Sequence, residues 1–231
     1  MSSRYFFNKR IPWYAIILGL VFSVRVDAGG LLRFTTADDA GFVGNYPELI
    51  SKAYALMGYQ IEIVKLPAKR ALYQAKSDSS IDGELLRVKS GEKWLPNHIR
   101  IPVPIVKIEV AAYVKGIQFE VSGWPSLSPY KLGAVRGFIA IEKQISGYDT
   151  TFVTETSQVM EMLELGRIQI GVVPRIIGDE MLKRGKYKGI RSLDKNIYAT
   201  ALFHFIHSKH KDLVPDLTSA IKQVLARDAG N

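Results

Sequence analysis

Arg87 is the side chain with the most to offer chemically. It stands near the end of the apolar stretch 81–88, which reads as a strand, and a guanidinium there presents a planar fork that grips a carboxylate bidentately. The same residue equally suits an ion pair with Glu84 or Glu92. Arg70 follows Pro67 at the start of a helical stretch, where the helix dipole is already positive. An anion or an acidic side chain would compensate it, and a solvated arginine on the helix face is the alternative. Asp38, just after the first strand, either accepts from ligand donors or shapes a turn. Phe42, Tyr46 and Trp94 are candidate walls against a flat or apolar part of a ligand; Trp94, in the polar stretch 89–97, equally suits a loop anchor. Arg136, Gly137 and Phe138 open another helical stretch whose free N–H groups can receive an anion. Thr154, Thr156 and Ser157 stand before the next helix and either do the same or simply cap it.

Other chemistries find little support. His204, His207 and His210 have a metal-like spacing of three, but their segment reads as a strand running into a loop, which would splay the rings. There is no cysteine for thiolate chemistry. No nucleophile elbow, phosphate loop or zinc-protease motif occurs, and Gly133 and Gly137 are too sparse for a dinucleotide loop. We therefore expect no cofactor, no metal and no catalytic residue.

The elements that must position these side chains fall into two copies of strand, helix, strand, helix, strand. The first runs from Leu31 to Val88 and the second from Lys131 to Val173. Strands are expected at 31–36, 59–66, 81–88, 132–135, 151–153 and 168–173, and helices at 47–57, 68–76, 137–145 and from Thr156 or Ser157 to Leu165. Pro102 and Pro104 mark 99–105 as an edge or extended crossing rather than a central strand, and 108–114 continues it. The apolar run 197–203 is the return passage, and Leu213, Val214, Leu217, Ile221, Val224 and Leu225 form one stripe of a final helix. Two small α/β units joined by two crossing segments imply a hinged pair of lobes. The expected fold is α/β, a two-lobed type II clamshell with two hinge strands. Lobe one is discontinuous, 29–107 and 201–231, and lobe two spans 108–200. Ligands in such sheets collect beyond the carboxyl ends of the strands.

Residues 1–28 read as a cleaved export signal: Arg4, Lys9 and Arg10 precede the apolar stretch 13–24, and Val26-Asp27-Ala28 supplies the cleavage site. The expected location is the periplasm, with no stable membrane insertion after cleavage. The net charge of +9 comes from scattered basic residues and does not mark a nucleic-acid surface. A positive field does favour anionic small ligands.

The chain resembles the family 3 extracellular solute-binding proteins, the amino-acid-type periplasmic receptors of ABC importers. The resemblance rests on Leu66-Pro67-Ala68-Lys69-Arg70-Ala71-Leu72, Ile81-Asp82-Gly83, Lys131-Leu132-Gly133-Ala134-Val135-Arg136-Gly137 and Met162-Leu163-Glu164-Leu165-Gly166-Arg167-Ile168. It implies two lobes that close over a small polar solute for uptake through an importer permease; the arginines make an anionic solute the preferred reading, and a monomer is expected. Val173-Pro174-Arg175 stands where amino-acid-binding members usually place an acidic residue, which points away from an α-amino acid. Relatives of this family also include lyases acting on cyclic carboxylates, for which Asp82 and Glu84 would be the acid–base candidates. A ligand sensor without a transporter is the third reading.

Overall fold

The computed structural model describes residues 30–38 and 45–228. The leader 1–28 and Phe42 lie outside the described residues. Strand β1 (Leu31–Ala37) is followed by α1 (Tyr46–Leu56), β2 (Gln60–Leu66), α2 (Ala68–Ser77) and β3 (Gly83–Val88). A 3-10 turn, Lys89–Lys93, leads into the long β4 (His98–Lys115). The second unit is β5 (Leu132–Val135), α3 (Ile139–Ile145), β6 (Thr150–Val153), α4 (Thr156–Glu164) and β7 (Ile170–Pro174). Then come α5 (Arg175–Lys183), the short β8 (Ile190–Ser192), β9 (Tyr198–His207) and the terminal α6 (Val214–Asp228).

The strands form one hydrogen-bonded ladder in the order β2-β1-β3-β9-β4-β7-β5-β6, with β8 also paired to β4. Within each unit the pairing is parallel: β1 lies between β2 and β3, and β5 lies between β6 and β7. What joins them is β4. Its residues from His98 to Val110 pair antiparallel with β9, and Val110 to Val114 pair antiparallel with β7. The two lobes thus share a continuous ladder through their crossing strands rather than owning separate sheets.

The hydrophobic cores make the division. On one face of the first unit, Phe34, Leu49, Ile50, Tyr54 and Leu85 pack with Ile101 and Val103 of β4 and with Leu217, Ile221 and Val224 of α6. The terminal helix therefore returns to the first lobe. Ala75, Ile81, Leu95 and Phe205 fill a smaller cluster that includes α2. In the second unit the alternation along β4 sends Val110, Ala112 and Val114 to one core and Ala111 and Tyr113 to another. Helix α3 covers the first of these cores, and α4 and α5 cover the second.

Pro102 and Pro104 sit in the part of β4 that pairs only with β9, and both are exposed. The missing N–H groups fall where no second strand needs them, and the register with β9 shifts between Arg100 and Pro104. Other expectations need correction. The return strand does not stop at Phe203 but runs to His207. Helix α5 starts at Arg175, directly after β7, and β8 carries no recognisable pattern. Helix α3 begins at Ile139, and α4 is capped by Glu155 with Gln158 rather than by Thr156 or Ser157.

Candidate functional site in the interlobe cleft

The ends of β1, β3 and β7 meet the start of α3 around a cavity of about 80 Å³. The first unit contributes Thr36, Ala37, Leu86, Arg87 and Val88. The second contributes Phe138 to Ile141, Pro174 and Ile177, while Ile108, Val110 and Leu202 come from the crossing strands. This is the carboxyl-end position expected for a ligand in open α/β sheets. The lining is mostly apolar, because the strand ends facing the cleft carry Leu86, Val88 and Val110 rather than polar groups.

Two contacts fasten the lobes beside the cavity. Arg87 Nη1 donates to the carbonyl of Gly137 at 3.2 Å. Gly137 itself, at φ +92°, lies so close to α2 that a Cβ there would stand 2.3 Å from the backbone nitrogen of Lys69. Only glycine permits both that backbone conformation and that approach. The N–H of Gly137 donates to Glu142 Oε2 at 2.8 Å, so the turn before α3 answers its own donor with a carboxylate of the same helix. This departs from the expected open helix start at Arg136 and Gly137.

Arg87 is buried rather than on a rim, and it pairs with Glu84 through Nη2. Glu84 is fully buried; Thr35 Oγ1 donates to its Oε2 at 2.9 Å. Burial pushes the Glu84 carboxyl upward, and the Arg87 guanidinium and the Thr35 hydroxyl oppose that shift. The Nε of Arg87 is buried with no hydrogen-bond partner.

At the mouth of the cleft a second, open groove is lined by Pro67, Lys69, Arg70 and Tyr73 from the first lobe and by Arg136 and Thr154 from the second. Arg70 and Arg136 are thus brought together as expected, in a groove distinct from the cavity that Arg87 lines. Arg136 lies over the ring of Phe152 at 5.4 Å. None of the three cations in this groove has a carboxylate ion-pair partner among the described residues.

The remaining candidates lie elsewhere. Trp94 ends the 3-10 turn and is 52% exposed, outside the lining of either the cavity or the groove. Tyr46 packs, half-buried, against the first-lobe core. Asp38 is exposed after β1, with its N–H bonded to the Leu66 carbonyl at 2.8 Å. Thr156 is fully buried in the first turn of α4. Arg175, where an acidic ligand contact would have stood, donates to Asn196 Oδ1 and to the carbonyls of Leu193 and Asp194. The histidine row is not a site either. His204 is a core residue bonded to Tyr54 Oη and the Leu85 carbonyl, while His210 bonds Asp82. Among the described residues no group of three or more His, Cys, Asp or Glu side chains is placed to hold a metal.

No family model matches the chain, and no curated protein does. Solved structures do. A histidine kinase sensor domain similar to periplasmic binding proteins superposes with a TM-score of 0.76 at 16% identity, covering 88% of this chain and 93% of that one. The fold is that of the two-lobed periplasmic binding proteins. The arginine-bound arginine-binding protein of T. maritima, in a Gly52Ala form, matches with a TM-score of 0.69 at 12% identity over 84% of this chain and 96% of that one. The VFT2 domain of Bordetella pertussis BvgS, as a double mutant, gives 0.64 at 12% identity over 85% of this chain and 92% of that one. These likenesses span solute capture and signal sensing on one scaffold. Among the described residues no helix is long and apolar enough to cross a membrane.

Proposed function

We propose that the protein is an exported small-molecule receptor whose two lobes, hinged on β4 and β9, close over a solute at their facing strand ends. The observation that carries this reading is a cavity assembled from both lobes and from both crossing strands. A ligand that touches both lobes stabilises only the closed arrangement, and so shifts the population toward it. The basic leader, read as an export signal, supports a periplasmic location.

Delivery to an ABC-type importer and signalling through a sensor use the same closure. The likeness to a kinase sensor domain supports signalling, and the likeness to an arginine-binding protein supports uptake. We read the chain as non-enzymatic. Glu84 is tied to Arg87 and Thr35, and Asp82 stands just before β3, bonded by Arg33 N and His210 at the far end from the cleft. Neither carboxylate is free in the cavity to move a proton.

The test is a thermal-shift panel of amino acids, organic acids, sugar acids, polyamines and small neutral compounds. One strong stabiliser whose effect follows RT ln(1 + [L]/Kd) is the expected result. A panel without any stabiliser contradicts the reading, and turnover of the stabiliser would restore the lyase.

A further inference from the structure

We propose that the open groove at the cleft mouth is an anion clamp, and that its ligand is a small multivalent oxyanion with at least two negative charges. The inference rests on the receptor reading above and names the class of its ligand.

The first support is where free positive charge stands. Lys69 and Arg70 of the first lobe and Arg136 of the second line the groove; all three are exposed, and none has a carboxylate ion-pair partner among the described residues. Two second-lobe carboxylates that could have answered Arg136 are engaged by backbone N–H groups instead. Glu142 accepts from Gly137, and Glu155, next to Thr154 in the chain, accepts from the backbone of Gln158. Inside the cleft the case is reversed, because Arg87 is buried against Glu84. An anionic group thus meets no free countercharge in the inner cavity and three at the mouth.

The second support is how the cations are held. The guanidinium of Arg136 lies over the ring of Phe152 at 5.4 Å, which orients its plane and leaves its N–H groups for a planar oxyanion. Lys69 and Arg70 stand in the first turn of α2, which has no acidic residue and no side-chain cap, so the positive end of the helix adds to their charge. Pro67 and the ring of Tyr73 give the carbon skeleton of the ligand a wall.

The third support is the coupling to closure. Two cations of one lobe face one cation of the other, so like charges oppose the approach of the lobes. An oxyanion between them turns that repulsion into an attraction to each side. A single negative charge answers one lobe; two or more are needed to answer both. Binding and closure are then one event.

The test uses the purified protein at about 10 mM ionic strength, where screening is weak. Calorimetry reads binding and small-angle scattering reads closure. Tricarballylate and succinate form the carboxylate arm, and glycerol 3-phosphate and inorganic phosphate form the phosphate arm; the tighter arm names the source of the oxyanion. Butyrate, butyramide and L-arginine are the monovalent, neutral and cationic comparisons. The best multivalent anion is expected to bind at least about tenfold more tightly than butyrate and to reduce the scattering radius. Arg70→Gln and Arg136→Gln, one in each lobe, are each expected to weaken it about fivefold or more. Lys76→Gln removes an exposed cation of α2 outside the groove and should leave the affinity unchanged. Tighter binding of butyrate, butyramide or L-arginine, or a stabiliser from the wider panel that is not a multivalent anion, overturns the ligand class and leaves the receptor reading standing. Equal weakening by Lys76→Gln, dependence on only one of the two arginines, or binding at an unchanged radius overturns the clamp. Silence of every compound here and in the wider panel removes the receptor reading and this inference with it.

Discussion

Arg87 in the first lobe donates to the carbonyl of Gly137 in the second, across 3.2 Å, while its other terminal nitrogen holds Glu84. One guanidinium therefore links the buried charge of one lobe to the backbone of the other. The contact between the lobes and the neutralisation of Glu84 rest on the same side chain.

Gly137→Ala tests that linkage from the backbone side. The added methyl would stand 2.3 Å from Lys69 N, at a φ of +92° that an alanine resists. We expect the lobes to separate, with a larger radius in small-angle scattering and a loss of roughly 1–2 kcal/mol from the backbone strain alone. An unchanged radius would show that the contact at Gly137 does not hold the lobes together.

Removing one partner of the buried pair should be far worse than removing both. Arg87→Ala leaves Glu84 buried without its cation, and is expected to cost about 3–5 kcal/mol in urea unfolding. Glu84→Leu combined with Arg87→Met replaces the pair with apolar groups of similar size, and is expected to recover most of that loss. Equal destabilisation by the single and double variants would contradict the account of a neutralised pair.

Acid should unfold the protein through its histidines. Burial holds both His98 and His204 down to about 4; His207 and Lys209 add to the effect at His98, and a hydrogen bond to the Leu85 carbonyl partly offsets it at His204. The unfolded chain takes up these protons near pH 6.5, so the folded state binds fewer protons between about 6.5 and 4. Stability is therefore full above that window and falls as pH drops through it. Glu84, raised by burial, works in the opposite direction toward the acid end. Urea midpoints between pH 7.5 and 4.5 check this, and His98→Leu should flatten the slope.

Closure should also depend on salt. Lys69 and Arg70 face Arg136 across the groove at the cleft mouth, so like charges from the two lobes oppose each other. Raising ionic strength from about 10 mM to about 150 mM shortens the screening length from roughly 30 Å to 8 Å, and should favour the closed form. Arg136→Gln is expected to remove this dependence and Arg136→Glu to reverse it, read as scattering radius against salt. The same salt slope in all three proteins would rule out the repulsion.

Much of the scaffold was legible because its periodicities were unambiguous. The stripe through Leu217, Ile221 and Val224 identified α6 and its return to the first lobe, and Pro102 and Pro104 correctly marked an edge crossing. The return strand was read too short because His204 looks polar, whereas the fold buries it against Phe34 and Tyr54 with both ring nitrogens bonded. The three residues of β8 are too few to show alternation. At the site, sequence pointed to Arg87, Arg70, Arg136 and Gly137. It missed Val110, Ile139 and Ile177, because an apolar residue that lines a cleft has the same pattern as one that fills a core. Nor did spacing reveal that Gly137 is needed for contact with Lys69, a meeting of residues 68 positions apart.

The hinge itself is the claim on which the rest depends, and the absence of native cysteines makes it directly measurable. Spin labels at Lys76 on α2 and Lys143 on α3, both exposed, report the distance between lobes by pulsed electron resonance. The account predicts a short, narrow distance when a stabilising ligand is bound and a longer, broader one in Gly137→Ala. A single distance, identical in both samples and without ligand, would contradict it.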